Sequence, residues 1–326
     1  MQSLRRIRRI STSLLFAVAT TSAAAQTYPT QNITLVVAYP AGGVPDVIAR
    51  IMAPALADRL GKSVIIENRG GASTTVGTNS VARATPDGHT LMLGDTSLAV
   101  APNVVARMPY DPQKDIAPVA PLMRSFMTLM VHPSVPAKTP QEFVALAKAK
   151  PGDLKYGTSG NGTPPHLGAL AFIQASNIDV LHVPYRGVAL ALSDVVGGHL
   201  QFVFVSQSVG ASQAKGGHAR VLGVYGEKRI PSIPDVPTFK ESGFDTAFAD
   251  AGTWFGLVTT GGTPKAVIDR LNDVTNAVLA DPPTKARLEG ADFHLTGGTS
   301  EQLAKLIADH TVYWRDAFKK AGVKAE

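Results

Sequence analysis

The sequence predicts an α/β protein of two lobes, each built on a mixed, mostly parallel sheet. Three observations carry that expectation. Short apolar runs alternate with segments of helical period along the whole chain. Several of these runs end in loops of glycine and small polar residues that feed directly into a helix. A late apolar strand, Trp254 to Val258, follows a proline-rich connection and returns the chain to its first half. The expected division is 26–122 plus 250–326 for the first lobe and 123–249 for the second.

The chain begins with an export signal. Arg5, Arg6, Arg8 and Arg9 form a basic stretch, Leu14 to Ala19 an apolar core, and Ala23-Ala24-Ala25 a small-residue cleavage pattern. The apolar core is shorter than the roughly 20 residues that span a bilayer. Cleavage near Ala25 is expected, with a periplasmic or secreted mature chain from Gln26, and the arginine pairs leave the choice between the general and twin-arginine routes open. Removing four arginines and no acid takes the formal charge from +6 to +2. The basic character therefore belongs largely to the signal, and no basic stripe with interleaved aromatics points to nucleic acid. Cysteine is absent, which excludes disulfides, thiolate chemistry and lipid attachment at a cysteine.

The first mature element is the apolar run from Ile33 to Ala38, a buried strand. Val47, Ile48, Ile51, Met52, Ala55, Leu56 and Leu60 then recur at helical spacing. Between the two lies Tyr39-Pro40-Ala41-Gly42-Gly43-Val44-Pro45-Asp46, a glycine turn with proline suited to the first helical turn. Backbone N–H groups at such a helix start favour a carboxylate or phosphate. Ser63 to Glu67 reads as a second strand, with the loop Asn68 to Gly77, including Thr74, leading to another helix. Thr90 to Leu93 is a third strand and ends in Asp95-Thr96-Ser97. Parallel strands would gather these ends on one rim, where open α/β sheets bind ligands.

Val119 to Met123 and Phe126 to Val131 read as strands crossing between the lobes. Thr139-Pro140-Gln141-Glu142 is a capping box opening a helix to Lys150. The strand Leu154 to Gly157 delivers the richest loop, Thr158-Ser159-Gly160-Asn161-Gly162-Thr163-Pro164-Pro165-His166, with a helix from Leu167 to Ala175. Strand, loop and helix recur at Val180 to Pro184 with Tyr185-Arg186-Gly187, and the strand Leu200 to Val205 ends in Ser206-Gln207-Ser208. Arg220 to Val224 is a further strand. Pro231, Pro234 and Pro237 mark a rigid connection. A helix follows Thr263-Pro264, and Thr299-Ser300-Glu301-Gln302 caps the last one, with Gly322 as its terminator.

Catalysis is weakly supported. Gly157-Thr158-Ser159-Gly160-Asn161 lacks the second glycine of a nucleophile elbow, and no glycine loop carries a Walker lysine or completes a dinucleotide fingerprint. His166, His182, His199 and His218 are scattered over separate segments without metal-ligand spacing. No catalytic residue, metal or cofactor is expected. Asp46 has an ordinary reading as a helix-start carboxylate, and His166 as a capping histidine.

Several stretches occur together in order: Tyr39 to Gly43 with Asp46, Glu67-Asn68-Arg69, Pro86 to Leu91, Tyr110-Asp111-Pro112, Ser159 to Gly162 with His166-Leu167, Val183 to Gly187, and Trp254 to Leu257. In this set the chain resembles the Bug family, the TctC-like periplasmic solute receptors of tripartite tricarboxylate transporters. The resemblance spans essentially the whole mature chain. It implies a clamshell of the Venus flytrap kind that grips a small carboxylate between its lobes and serves inner-membrane permease subunits. The ligand could then be a di- or tricarboxylate, an amino acid or an aromatic acid, and the receptor a monomer. The expected contacts are Tyr39, Ala41, Gly42, Gly43, Asp46, Thr74, Thr96, Ser97, Ser159, Asn161, Thr163, His166, Tyr185 and Ser206. Asp46 matches the family's loop aspartate, which is sometimes linked with amino-bearing ligands. Three features depart from the family pattern. Leu170 stands where an acid is usual, the segment Gly197 to Ser206 carries no aspartate, and Pro54 interrupts the first helix. A secreted α/β hydrolase and a ligand sensor for a membrane signalling protein are the alternatives.

Overall fold

The computed structural model describes residues 28–244, 246 and 252–321. The expected signal segment, the second lobe boundary at 249/250 and the terminator Gly322 lie outside them.

The first sheet has six strands in the order β11-β4-β10-β3-β1-β2. These are β1 (Ile33–Val37), β2 (Val64–Asn68), β3 (Thr90–Asp95), β4 (Ile116–Ser125), β10 (Thr253–Thr260) and β11 (His294–Leu295). β1 pairs parallel with both β2 and β3, so the three loops after them share one rim. β10 inserts antiparallel between β3 and β4. The period of two in β1 decides which helices cover each face. Ile33, Leu35 and Val37 pack towards Ile48, Met52 and Leu56 of α1 (Val44–Leu60) and Leu271 of α8 (Lys265–Leu279). Val36 and Ala38 face the other way, towards Val81 of α2 (Thr75–Ala82), Leu98 of α3 (Ser97–Val104) and Leu303 of α10 (Ser300–Ala321).

The chain leaves this sheet at Ser125 and enters the second at Met127, with Phe126 between. The second sheet has five strands in the order β7-β6-β8-β5-β9. They are β5 (Met127–Val131), β6 (Lys155–Thr158), β7 (Leu181–Pro184), β8 (Phe202–Ser206) and β9 (Arg220–Val224). β6 pairs parallel with β7 and β8, whereas β5 pairs antiparallel with β8 and β9. Phe202 and Phe204 alternate with Val203 and Val205 between two cores. The first of these cores holds Phe143 of α4 (Pro140–Ala149) and Phe172 of α5 (Pro164–Ser176), and the second holds Ala191 of α6 (Val188–Val196) and Ala211 of α7 (Gln207–Lys215).

Both capping boxes form, with a difference in detail. Thr299 Oγ1 accepts the Gln302 N–H at 3.2 Å, and Gln302 Oε1 accepts the Thr299 N–H at 2.8 Å. At α4, Thr139 Oγ1 accepts the Glu142 N–H at 3.1 Å, but Glu142 reaches back one residue further, to the N–H of Lys138. A short helix α9 (Pro282–Gly290) and strand β11 follow α8 where the sequence reading is silent.

The lobes also touch away from their sheets. Val100 and Val104 of α3, Leu167 of α5, and Trp314 and Phe318 of α10 form one apolar cluster, with Leu170 packed against it. The residue that departs from the family pattern thus supplies an apolar contact between lobes. Pro54 projects into solvent on α1, so the carbonyl that it leaves without an N–H partner can be met by water.

Candidate functional site

The rim loops of the two sheets face each other across a cleft that holds two adjoining cavities. One, of about 120 Å³, is enclosed by Tyr39 to Pro45, Asp95, Ser125, Met127 and Phe255 from the first sheet, its loops and the crossing segment. Its other wall is Ser159, Pro164, Pro165, Gly187 to Ala189, Val205, Ser206 and Val209. The second, of about 370 Å³, is bounded by Gly70 to Thr74, Gly160, Thr163, Tyr185 and Arg186, and shares Tyr39, Pro40 and Ser159 with the first. The rims approach closely. A methyl group added at Gly187 would lie 3.6 Å from Pro40 Cγ, and one at Gly160 would lie 3.6 Å from Ser73 Oγ.

The β1–α1 loop is held by Asp46. Its Oδ2 accepts the Gly42 N–H at 2.9 Å and Arg50 Nε at 2.8 Å, and its Oδ1 accepts Asn68 Nδ2 at 3.0 Å. Burial pushes the Asp46 carboxyl up, but these donors outweigh it and hold it below the usual carboxylate range. Gly42 adopts φ +82°, a left-handed conformation that a β-branched residue resists. Its N–H is spent on Asp46, whereas those of Val44 and Asp46, in the first turn of α1, have no intrahelical acceptor.

On the facing wall the donors come from α6 and α7. Gly187 caps α6, and the N–H groups of Val188 and Ala189 belong to its open first turn. Ser206 caps α7, whose first N–H, from Gln207, is taken by the Phe126 carbonyl at 2.9 Å. α5 is different. It opens with Pro164-Pro165, so two of its first N–H groups do not exist. Three helix starts, those of α1, α6 and α7, therefore meet at the smaller cavity. Among the described residues no lysine or arginine lines that cavity. Its remaining wall combines the apolar Met127, Val205, Val209 and Phe255 with Asp95, Ser125 and Ser159.

The expected contact residues divide into two groups. Tyr39, Ala41, Gly42, Gly43, Ser159 and Ser206 line the smaller cavity, while Tyr39, Thr74, Ser159, Thr163 and Tyr185 line the larger. Asp46, Ser97, Asn161 and His166 line neither, and Thr96 borders a separate small gap beside Met127 and Thr253. Most of these outlying residues brace the loops. Thr96 Oγ1 accepts the Trp254 N–H at 3.3 Å, and Ser97 Oγ lies 2.9 Å from Tyr39 Oη. His166 Nδ1 accepts the Gly162 N–H at 3.0 Å, and its ring stacks on His182 at 4.5 Å. Burial, and then the neighbouring His182, pull His166 down to about 3, which keeps it neutral. Ser159 Oγ donates to Thr163 Oγ1 at 3.0 Å, and Thr163 Oγ1 donates to the Gly160 carbonyl at 2.7 Å, so much of the hydroxyl chemistry in this loop is used internally.

The sequence reading missed Asp95 and the start of α6 as cavity walls. Gly187 before a helical run is the signal that could have located the latter. The larger cavity also owes its wall to backbone conformation. Ala72, Ser73 and Thr74 take φ of 43°, 50° and 75°, a left-handed run closed by the Thr75 N–H on the Ala72 carbonyl at 3.0 Å. Three such non-glycine residues in a row store strain where the loop meets the cleft.

The profile of the tripartite tricarboxylate transporter family receptor matches residues 48–323. A UPF0065 protein from the tcbD–tcbE intergenic region of Pseudomonas sp. strain P51 is 32% identical over 311 residues, 94% of this chain and 92% of the relative. The structure of the periplasmic binding protein BugD superposes with a TM-score of 0.85 at 30% identity, covering 92% of this chain and 100% of BugD. An R. palustris protein solved with adipate gives 0.86 at 28% identity, over 92% and 100% of the two chains. The fold, the rim loops and these likenesses together establish that the chain belongs to the TctC family, the Bug-type receptors of tripartite tricarboxylate transporters.

Proposed function

We propose that the mature protein works in the periplasm as a monomeric, non-enzymatic receptor. It captures a small carboxylate in the interlobe cleft and presents it to inner-membrane permease subunits. The observation that carries this reading is the convergence of the α1, α6 and α7 starts on one cavity of the cleft. Oriented N–H groups and helix dipoles solvate a carboxylate without a cationic partner. The adipate held by the R. palustris relative is consistent with such a guest. Ser159 offers no support for a hydrolase, because its hydroxyl is directed to Thr163 and His166 is engaged by Gly162. The proposed lobes are residues 26–122 plus 250–326 and residues 123–249, with Asp46, His166, Thr96 and Ser97 acting by shaping the loops.

The test is a thermal-shift screen of residues 26–326 against mono-, di- and tricarboxylates, amino acids, aromatic acids and nicotinate-like heterocycles, confirmed by calorimetry. A ligand at a hundred times its Kd stabilises the native state by about 2.7 kcal/mol. A saturable rise in melting temperature from one class of acid is expected. A panel in which no carboxylate moves the transition overturns the reading.

A further inference from the structure

Among the described residues that line the smaller cavity, Asp95 is the one carboxylate. Asp95, at the end of β3, is 4% exposed and stands on the cavity wall beside Phe255. Its Oδ2 accepts Tyr39 Oη at 2.7 Å and its Oδ1 accepts the Ser97 N–H at 2.8 Å. Among the described residues no lysine, arginine or histidine forms an ion pair with it. A carboxylate offers about four lone-pair positions; the Ser97 side chain takes a third beside the Tyr39 hydroxyl and the Ser97 N–H, so one remains for a guest.

We propose that Asp95 sets the ligand class: a carboxylate with an apolar body and, at its far end, a hydrogen-bond donor that Asp95 receives, in preference to a second carboxylate. This deepens the carboxylate-receptor reading and rests on it. The cavity presents N–H donors at the starts of α1 and α6, an acceptor acid at Asp95, and the apolar side chains of Met127, Val205 and Val209 on its walls. A guest that brings one acid and one donor satisfies both. A guest that brings two acids sets a second anion near Asp95 in a cavity that no cation among the described residues lines, where like charges oppose each other. Burial pushes the Asp95 carboxyl up, which adds to the value of a donor placed against it.

The experiment uses hexanoate and benzoate skeletons, each carrying a hydroxyl, an ammonium group or a second carboxylate at the end away from the first acid. Calorimetry on the wild-type protein is expected to give the hydroxyl or ammonium form an affinity at least about ten-fold above the matched dicarboxylate. In Asp95→Asn that ratio is expected to fall by about the same factor. Either donor satisfies the proposal, and the stronger of the two identifies the protonation state that Asp95 prefers. A purely structural Asp95 would lower every affinity in the variant equally and leave the ratio intact, which overturns the proposal. Tighter wild-type binding of the dicarboxylate, or silence of both skeletons, also overturns it while leaving a receptor for other carboxylates in place. The wild-type ratio decides even if Asp95→Asn does not fold. If no carboxylate of any kind binds, the receptor reading fails first.

Discussion

At Gly42 and Gly43 adjacent glycines serve different ends. Gly42 is required by its left-handed φ, so Gly42→Val mixes backbone strain of about 1–2 kcal/mol with any effect on a ligand. Gly43 has φ −77° and ψ 168°, open to any residue, and an added Cβ would meet Pro40 O at an ordinary 3.5 Å. Gly43→Val is therefore expected to cost no more than about 1 kcal/mol of stability. Its side chain should nevertheless lower carboxylate affinity by about ten-fold or more. Unchanged affinity by calorimetry in the folded variant would remove the β1–α1 loop from the site. His166 makes a separate prediction. Its ordinary value is 6.5 and its folded value about 3, so the unfolded chain takes up a proton that the native state refuses. Stability from the buried neutral ring is complete above about pH 6.5 and is lost progressively as the pH falls towards 3. His310, which burial and then Arg124 hold at about 4, adds a loss of the same sign. Asp46, held below its usual 3.8, acts likewise at lower pH, whereas the raised Asp95 opposes them. The melting temperature should fall between about pH 7 and pH 4, and less steeply in His166→Gln.

The strand-loop-helix alternation was legible because each strand is an apolar run and each junction carries glycine, proline or hydroxyl residues. The capping threonines marked α4 and α10 for the same reason. Other features were hidden. Asp281-Pro282 is a start signal for α9 as clear as Thr139-Pro140, and Asp281 Oδ2 does accept the Thr284 N–H at 3.3 Å, but no long apolar period follows it. Asp95 reads like any polar strand end until β10 pairs with β3 and sets Phe255 opposite it. The loop Ser159 to His166 looked like the richest donor set, yet its hydroxyls bond inward and two prolines remove its helix donors. Composition can reveal which groups a loop owns, but their direction depends on tertiary neighbours. The contact of α3, α5 and α10 is equally non-local. Leu170→Asp would place a carboxylate against the apolar cluster of α3, α5 and α10. It should loosen the lobe contact, seen as a larger radius of gyration in small-angle scattering without ligand. An unchanged radius would show that this cluster does not hold the lobes together.

Across the whole molecule, two sheets with rims turned inward create a site that neither possesses alone. The first lobe brings Tyr39 to Pro45 and Asp95, while the second brings Ser159, Gly187 to Ala189 and Ser206. A ligand shifts the open and closed populations only through its better fit to the closed form, so contacts on both walls are what give it leverage. The apolar contact of α3 and α10 with α5 joins the lobes apart from the residues that line the two cavities. Family likeness reaches this level readily, since it fixes the two-lobe plan, whereas the identity of the guest depends on single side chains such as Asp95.

That no lysine or arginine among the described residues lines the smaller cavity, Arg186 standing in the larger one, also governs how the receptor responds to its surroundings. Mobile ions screen exposed charges over about 8–10 Å, whereas groups buried in a cavity wall are screened much less. Capture here should therefore persist almost unchanged from dilute buffer to molar sodium chloride, a range that would strip a ligand from a surface cluster of cations. Binding of this kind would then track the concentration of solute and not the ionic strength of the medium.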